Sequence, residues 1–202
     1  SSPLLIYVER LLSAFGRTLA ADIYAPLDLP PFANSAVDGY AAQSADTTPS
    51  PVTLTVVMDI PAGTWPQQTL QAGQAARIMT GAPVPHGADT VIPVEDTDAD
   101  WGTEEARLSP TLITLQRAAR VGDNVRPAGE NVRAGQLLLH AGTVLRPQDI
   151  GMLASVGMAH APVTRQPRVA LLSSGDELLM PGQPLSAGKI YDANSFTLAG
   201  LI

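Results

Sequence analysis

Asp38 sits between Val37 and Gly39 in the segment NSAVDGY (34–40), which holds no other charge. Asp-Gly is a strong turn signal, because glycine accepts positive φ and aspartate bonds its own backbone. The same pair can also make a site, with Gly39 allowing a close approach and the Asp38 carboxylate meeting the group that approaches. A second segment, RIMTGAPVPHGAD (77–89), runs an apolar strand into Thr80, Gly81 and two prolines. A hydroxyl at a strand end, followed by glycine and a stiff loop, can hydrogen-bond an anion; a structural turn is the plainer alternative. A third, RPAGENVRAG (126–135), places Glu130 and Asn131 between glycines with Arg126 and Arg133 nearby, and its alternative is a surface hairpin with ordinary ion pairs. The fourth, VALLSSGDEL (169–178), ends a continuously apolar strand in Ser173, Ser174 and Gly175, then Asp176 and Glu177. Ligands of open α/β sheets bind at the carboxyl ends of strands. There, loop amides and hydroxyls hold phosphate oxygens while a carboxylate holds a magnesium ion.

Other chemistries fit less well. Serine nucleophilic catalysis lacks a nearby histidine and a glycine-flanked nucleophile elbow. His86, His140 and His160 are far apart, so each reads as a surface or strand residue, since metal ligands cluster. The chain has no cysteine, which excludes disulfides, thiol nucleophiles and Cys-based metal sites and fits a cytosolic setting. Lys189 is the only lysine. A net charge of −7 argues against nucleic acid as a partner. No apolar run has the length to cross a bilayer, and no secretion signal is evident. Seven acids and no base lie between Asp89 and Glu105, and they read as a solvated loop rather than a metal site. An acidic protein handles an anionic substrate only if a metal ion, amides or arginines offset the repulsion. Asp38 and Glu177, in glycine-bearing loops, are parts that suit magnesium-assisted phosphate chemistry.

The elements that carry these residues follow from periodicity. Leu4 to Ala21 places Leu5, Val8, Leu11, Leu12, Phe15 and Leu19 near helical spacing, with Gly16 ending or weakening the helix. Three prolines in APLDLPPF predict an extended linker. From Val52 the period becomes two, and short strands recur at AARIMT, DTVIPVED, TLITLQR, NVRPAG, QLLLHAG and TVLR, a spacing that suggests a small sandwich or barrel. Pro147-Gln148-Asp149 opens a helix that Gly157 stops. HAPVTRQPRVALLSS supplies two strands, the second (RVALL) buried on both faces as in a parallel sheet. A last helix begins near Asp192 or Asn194. A parallel strand needs neighbours, so the chain reads as a fragment with its last domain cut short.

In order along the chain, LPPFANSAVDGYA, RIMTGAPVPHGADTVIPVEDT, VRPAGENVRAGQLLLHAGTVL and RVALLSSGDELLMPGQPLSAGKIYDANS resemble the molybdopterin molybdenumtransferases, bacterial MoeA and the E domain of gephyrin. The resemblance implies a mixed α+β, multidomain, β-rich fold. In it, residues 1–35 and 131–165 form a discontinuous mixed domain, 36–130 a small β domain inserted in it, and 166–202 the start of an α/β molybdopterin-binding domain. The implied activity inserts molybdate into adenylylated molybdopterin, with magnesium and release of AMP. Asp38, Thr80 and Glu177 fall on functional positions of the family, with Asp38 and Glu177 as metal ligands. Ser173, Ser174, Gly175 and Asp176 form the loop beside nucleotide or pterin, and Asn131 takes a substrate-binding place where the family usually carries an acid. Implied partners are a second subunit, in a homodimer whose active site lies between subunits, and the upstream molybdopterin adenylyltransferase; the implied setting is cytoplasmic. A non-catalytic scaffold of the same family is the alternative, discriminated by the pterin-binding loops of a longer chain. A carbohydrate-binding module would explain the short strands but not VALLSSGDEL or the aromatic content of only 4%.

Overall fold

The computed structural model describes residues 6–99, 101 and 111–202. Along the chain run β1 (Ile6–Arg10), α1 (Leu11–Ala14), β2 (Ile23–Tyr24), β3 (Asn34–Ser35), β4 (Gly39–Ala42), β5 (Val52–Ile60), β6 (Gln74–Ile78), β7 (Thr90–Pro93) and β8 (Leu112–Leu115). They are followed by β9 (Val125–Arg126), β10 (Leu137–Leu139), α2 (Pro147–Ser155), β11 (His160–Thr164), β12 (Leu178–Leu179), β13 (Ile190–Tyr191) and α3 (Ala193–Leu201). The fold is β-rich with few helices and divides into two compact units, residues 8–163 and residues 164–202 with Ile6 and Tyr7.

A five-stranded sheet of order β7-β4-β6-β5-β8 dominates the larger unit. β4 is antiparallel to β6 and β7, and β5 is parallel to β6 and antiparallel to β8. Period-two alternation in β5 supplies Leu54 to one face, while Ile60 reaches the other because the register shifts between Val56 and Met58. A bulge of this kind turns every subsequent side chain over. It therefore swings Asp59 onto the face of Tyr40, Leu54 and Ala75, opposite its cross-strand partner Arg77. Both faces are covered, one core holding Tyr40, Leu54, Ile92, Ile113 and Leu115, the other Ala41, Ile60, Leu70, Ile78 and Val91. The segment after β7 closes the far edge: Asp98 N donates to Thr114 O (3.1 Å) and Gln116 N to Asp96 O (2.8 Å). The β8 edge is thus not left open as a template for other chains.

A separate core in the same unit packs Leu11, Leu19 and Ile23 against Leu145, Leu153, Ala161 and Val163. Its helix α2 starts at Pro147, and Asp149 caps it: the carboxylate accepts from Arg146 N (2.9 Å) and Arg146 Nε (3.0 Å). Gly157, at φ +79, comes just after its end, as the sequence predicts. The Arg146 side chain and amide hold the Asp149 carboxyl below its ordinary value. A depressed folded value means that this contribution is complete above the unfolded pKa near 4 and is lost as pH falls through the folded value. Asp149→Asn is therefore expected to lower stability at pH 7, with the gap from wild type closing below about pH 4. Urea midpoints across pH measure this, and a gap constant from pH 7 to 3 would refute it.

Three expectations fail. The helix over Leu4–Ala21 is instead strand β1 and a single helical turn; Leu5 lies outside the described residues. Ile6, Tyr7 and Val8 are β-branched or aromatic and favour a pleated surface, and Gly16 at φ +73 breaks the chain direction soon after α1. TVLR contributes only a bridge from Val144 to Thr18. RVALL forms no strand, and Leu172 is 97% exposed. An extended apolar run becomes a strand only with a ladder to join. In the smaller unit, the short parallel pair β12–β13 does not pair with RVALL. There α3 is capped by Asp192, which accepts from Ser195 N (3.0 Å).

Candidate functional site

Ser35 and the turn after β6 bring Asp38 and Thr80 together across 42 residues of chain. Ser35 N donates to Ala82 O (3.0 Å) and Gly81 N to Ser35 O (2.9 Å), which locks the two segments side by side. Met79–Ala82 is a turn closed by Ala82 N to Met79 O (2.9 Å), with Gly81 at φ +81 where a type II turn requires positive φ. The turn presents the Thr80 amide and hydroxyl to one oxygen, Asp38 Oδ1, at 2.7 Å each. Asp38 Oδ2 makes no hydrogen bond among the described residues, and both side chains are exposed. The Thr80 hydroxyl, then its amide, and the positive charge of Arg77 hold the Asp38 carboxyl below its ordinary value. Asp38 is therefore an anion at neutral pH with one lone-pair face turned to solvent. As a donor, Thr80 is committed to this carboxylate and not to a free anion.

The reading of Asp-Gly is corrected. Gly39 opens strand β4 and its φ is not in the left-handed region. A Cβ there would lie 1.9 Å from Ile92 O. The close approach that glycine permits is that of β7's own backbone.

Beneath the pair lies a cluster that sequence reading missed. Arg77 is 4% exposed, pairs with Asp59 through Nη1 at 3.1 Å, and lies 4.4 Å from the Trp101 ring centroid. Trp101 Nε1 donates to the Tyr40 hydroxyl (3.2 Å). Tyr40 faces Arg77 across the ladder, so the cluster ties the β4 end near Asp38 to the β6 end near Thr80. An arginine inside an apolar strand was the available signal.

Of the remaining candidates, Asn131 belongs to the same unit but does not join this pair. Asn131 is exposed; its amide donates to Leu29 O (2.9 Å), and its side chain makes no hydrogen bond to Asp38 or Thr80. Neither Arg126 nor Arg133 joins an ion pair among the described residues. Ser173, Ser174, Gly175, Asp176 and Glu177 belong to the smaller unit, all exposed. Ser173, Ser174 and Glu177 line a cavity of about 620 Å³ with Asp192, Asn194 and Ser195. A Cβ at Gly175 would lie 2.6 Å from Glu177 Oε2, so glycine lets this carboxylate fold over the loop. Lys189 Nζ donates to Asp176 O. Asp192, read from sequence only as a cap, also takes a hydrogen bond from Ser173; Ser195 first, and then Ser173, hold its carboxyl low.

No cluster of three or more potential metal-ligating side chains occurs among the described residues, and this covers the three histidines. In the acidic stretch, Asp89 accepts from Ser44 N (2.6 Å), Asp96 pairs with Arg117 (3.5 Å) and Asp98 accepts from Thr114 N (2.8 Å); Asp100, Glu104 and Glu105 lie outside the described residues. Magnesium commonly keeps several waters and takes one or two carboxylates plus substrate phosphates. A single unshared oxygen on Asp38 fits that mode, and a closed protein cage does not.

The model of the family described as MoeA N-terminal region (domain I and II) matches residues 3–157. Molybdopterin molybdenumtransferase 2 of Mycobacterium tuberculosis is 44% identical over 196 residues, covering 95% of this chain and 46% of that protein. A molybdopterin molybdenumtransferase of Nostoc is 42% identical, covering 95% of this chain and 43% of its own. A crystal structure of the molybdopterin biosynthesis MoeA protein from Pyrococcus horikoshii matches with a TM-score of 0.82 at 35% identity, over 98% of this chain and 51% of that one. The chain spans about half the length of the curated relatives it matches.

Proposed function

Because the chain belongs to the MoeA N-terminal region family, we propose that it supplies the N-terminal part of a molybdopterin molybdenumtransferase acting in molybdenum cofactor biosynthesis. The proposed reaction takes molybdate and adenylylated molybdopterin and releases AMP. The observation that carries this reading is the Asp38–Thr80 pair: an ionised, exposed carboxylate with Oδ2 unshared, set on a rigid turn.

Magnesium, when bound, would offset charge on the phosphate oxygens and on the leaving phosphate. Asp38 Oδ2 would hold the ion or one of its waters. Thr80, by fixing Oδ1 through two hydrogen bonds, sets the direction in which Oδ2 points and keeps the carboxyl deprotonated. In the smaller unit, the Ser173–Asp176 loop would offer hydroxyls and amides to nucleotide or pterin, with Glu177 as the second carboxylate. Asn131, as a neutral amide, would orient substrate and not hold a cation. The reading places the site between subunits of a homodimer, Asp38 contributed by one protomer and the Glu177 loop by its partner. It also places a molybdopterin adenylyltransferase upstream as the source of substrate, in the cytoplasm. No helix among the described residues is long and apolar enough to cross a membrane.

The test uses the full-length protein. Asp38→Ala and Glu177→Ala are each expected to slow cofactor formation by about 10- to 100-fold. Thr80→Val, which keeps the amide bond and removes the hydroxyl, is expected to show a smaller loss. Cofactor production at the wild-type rate by both alanine variants would overturn the assignment.

A further inference from the structure

One of the two tryptophans is spent on the surface. Trp101 packs into the sheet core, whereas Trp65, in the crossover between β5 and β6, is 57% exposed. Trp65 meets Phe32 edge to face, with centroids 5.6 Å apart and planes at 86°. Both rings line a cavity of about 350 Å³, whose other walls include Pro66, Pro83, Pro85 and His86. That volume is near the lower end of the roughly 300–1,000 Å³ typical of small-ligand sites.

The cavity is preformed. Val84 N donates to Ala33 O (3.0 Å), Leu70 N to His86 O (2.7 Å) and Ala88 N to Pro85 O (3.1 Å). Gly87, at φ +90, lies so close to Leu70 that a Cβ would fall 2.2 Å from Leu70 O. Proline rings and a pinned backbone leave little freedom to lose on binding, which favours occupancy. The walls continue directly into the segments carrying the candidate site: Ala33 leads through Ser35 to Asp38, and Pro83 comes after the Thr80 turn.

The lining also specifies the occupant. Among the described residues, no Asp, Glu, Lys or Arg lines the cavity, in a chain of net charge −7. Burying a charge there would leave it unpaired, at large cost. The flat indole and phenyl surfaces, flanked by apolar proline rings, favour stacking by another flat ring, with offset or edge-on geometry. His86 adds one exposed hydrogen-bonding edge. We propose that the cavity between Phe32, Trp65 and Pro83–Pro85 binds an uncharged planar heteroaromatic ring, stacked on Trp65 with its polar edge toward His86. This site is separate from the reading of Asp38 as a metal-holding carboxylate, and neither depends on the other.

The test needs no turnover. The 202-residue chain, labelled with nitrogen-15, is titrated with adenosine and with indole, and with cyclohexanol as an uncharged ring that is not flat. Expected are saturable shifts of the Trp65 indole resonance and the Val84 and Ala88 amides, with midpoints on the order of a millimolar for a bare fragment. Cyclohexanol and inorganic phosphate should leave them unmoved. Trp65→Ala, at an exposed position that should fold normally, is expected to weaken binding at least tenfold, and His86→Ala to weaken adenosine more than indole. The proposal is overturned if the flat rings give no saturable shift, if cyclohexanol binds as well, or if a proline-rich peptide alone occupies the site.

Discussion

Gly39→Ala is expected to destabilise the larger unit by about 3 kcal/mol or more, at the upper end of overpacking costs. The new methyl would meet Ile92 O at 1.9 Å and Pro93 Cα at 3.0 Å, both backbone atoms of a paired strand. No rotamer change relieves that contact; β4 and β7 must separate, which weakens the ladder that joins Tyr40 to Ile92. Gly81→Ala is the matched control, since open space surrounds it and only its φ of +81 resists substitution. Its expected cost is about 1–2 kcal/mol. Urea denaturation of the two variants separates the mechanisms, and equal losses would refute the close-approach explanation. Because Gly39 adjoins Asp38, Gly39→Ala should also disturb the Thr80–Asp38 bonds, seen as loss of protection at the Thr80 amide.

The second large effect is an asymmetry within one ion pair. Arg77 has a side chain only 5% exposed, while that of Asp59 is 41% exposed. Asp59→Ala strands a buried guanidinium whose Nε already lacks a hydrogen-bond partner among the described residues, at an expected cost of about 3 kcal/mol. Arg77→Met leaves Asp59 hydrated and keeps the volume beneath Trp101, so about 1 kcal/mol is expected. The double variant Asp59→Val with Arg77→Met, which replaces both charges by apolar groups, is expected within about 1 kcal/mol of wild type. Denaturation midpoints at neutral pH decide this, and equal losses in the two single variants would show that the buried charge is not the cause.

Some of this molecule is legible in residue order because its causes are local. Alternation at Val52, Leu54 and Val56 marked the start of β5, although it showed neither the bulge nor the strand's extent to Ile60. Pro147 and Gly157 bounded α2, and the cap of α3 was narrowed to Asp192 or Asn194, of which the fold uses Asp192, since caps act within a single turn of backbone. The early helix failed because apolar spacing there coincided with β-branched and aromatic types, and pairing of β1 with β11 took precedence. RVALL failed because a strand is a property of a pair, and hydrophobicity says nothing of whether the pair exists. The family was readable from four ordered motifs, and the match over residues 3–157 agrees with it.

Residue order determined which side chains were available: one carboxylate beside a glycine, one threonine before another, and a loop of serines ahead of Glu177. Tertiary structure decided which of them meet. Nothing in the 42-residue separation states that Thr80 will bind Asp38 Oδ1 twice; that comes from Ser35 pairing with Gly81 and Ala82. Nor does alternation predict that a one-residue bulge will turn Asp59 toward Arg77, or that Gly39 exists to admit a neighbouring strand. The physical reason is the same in each case. Turns and caps are satisfied by groups a few bonds away, whereas strand register and close backbone approach depend on segments distant in the chain, which only the folded molecule brings together.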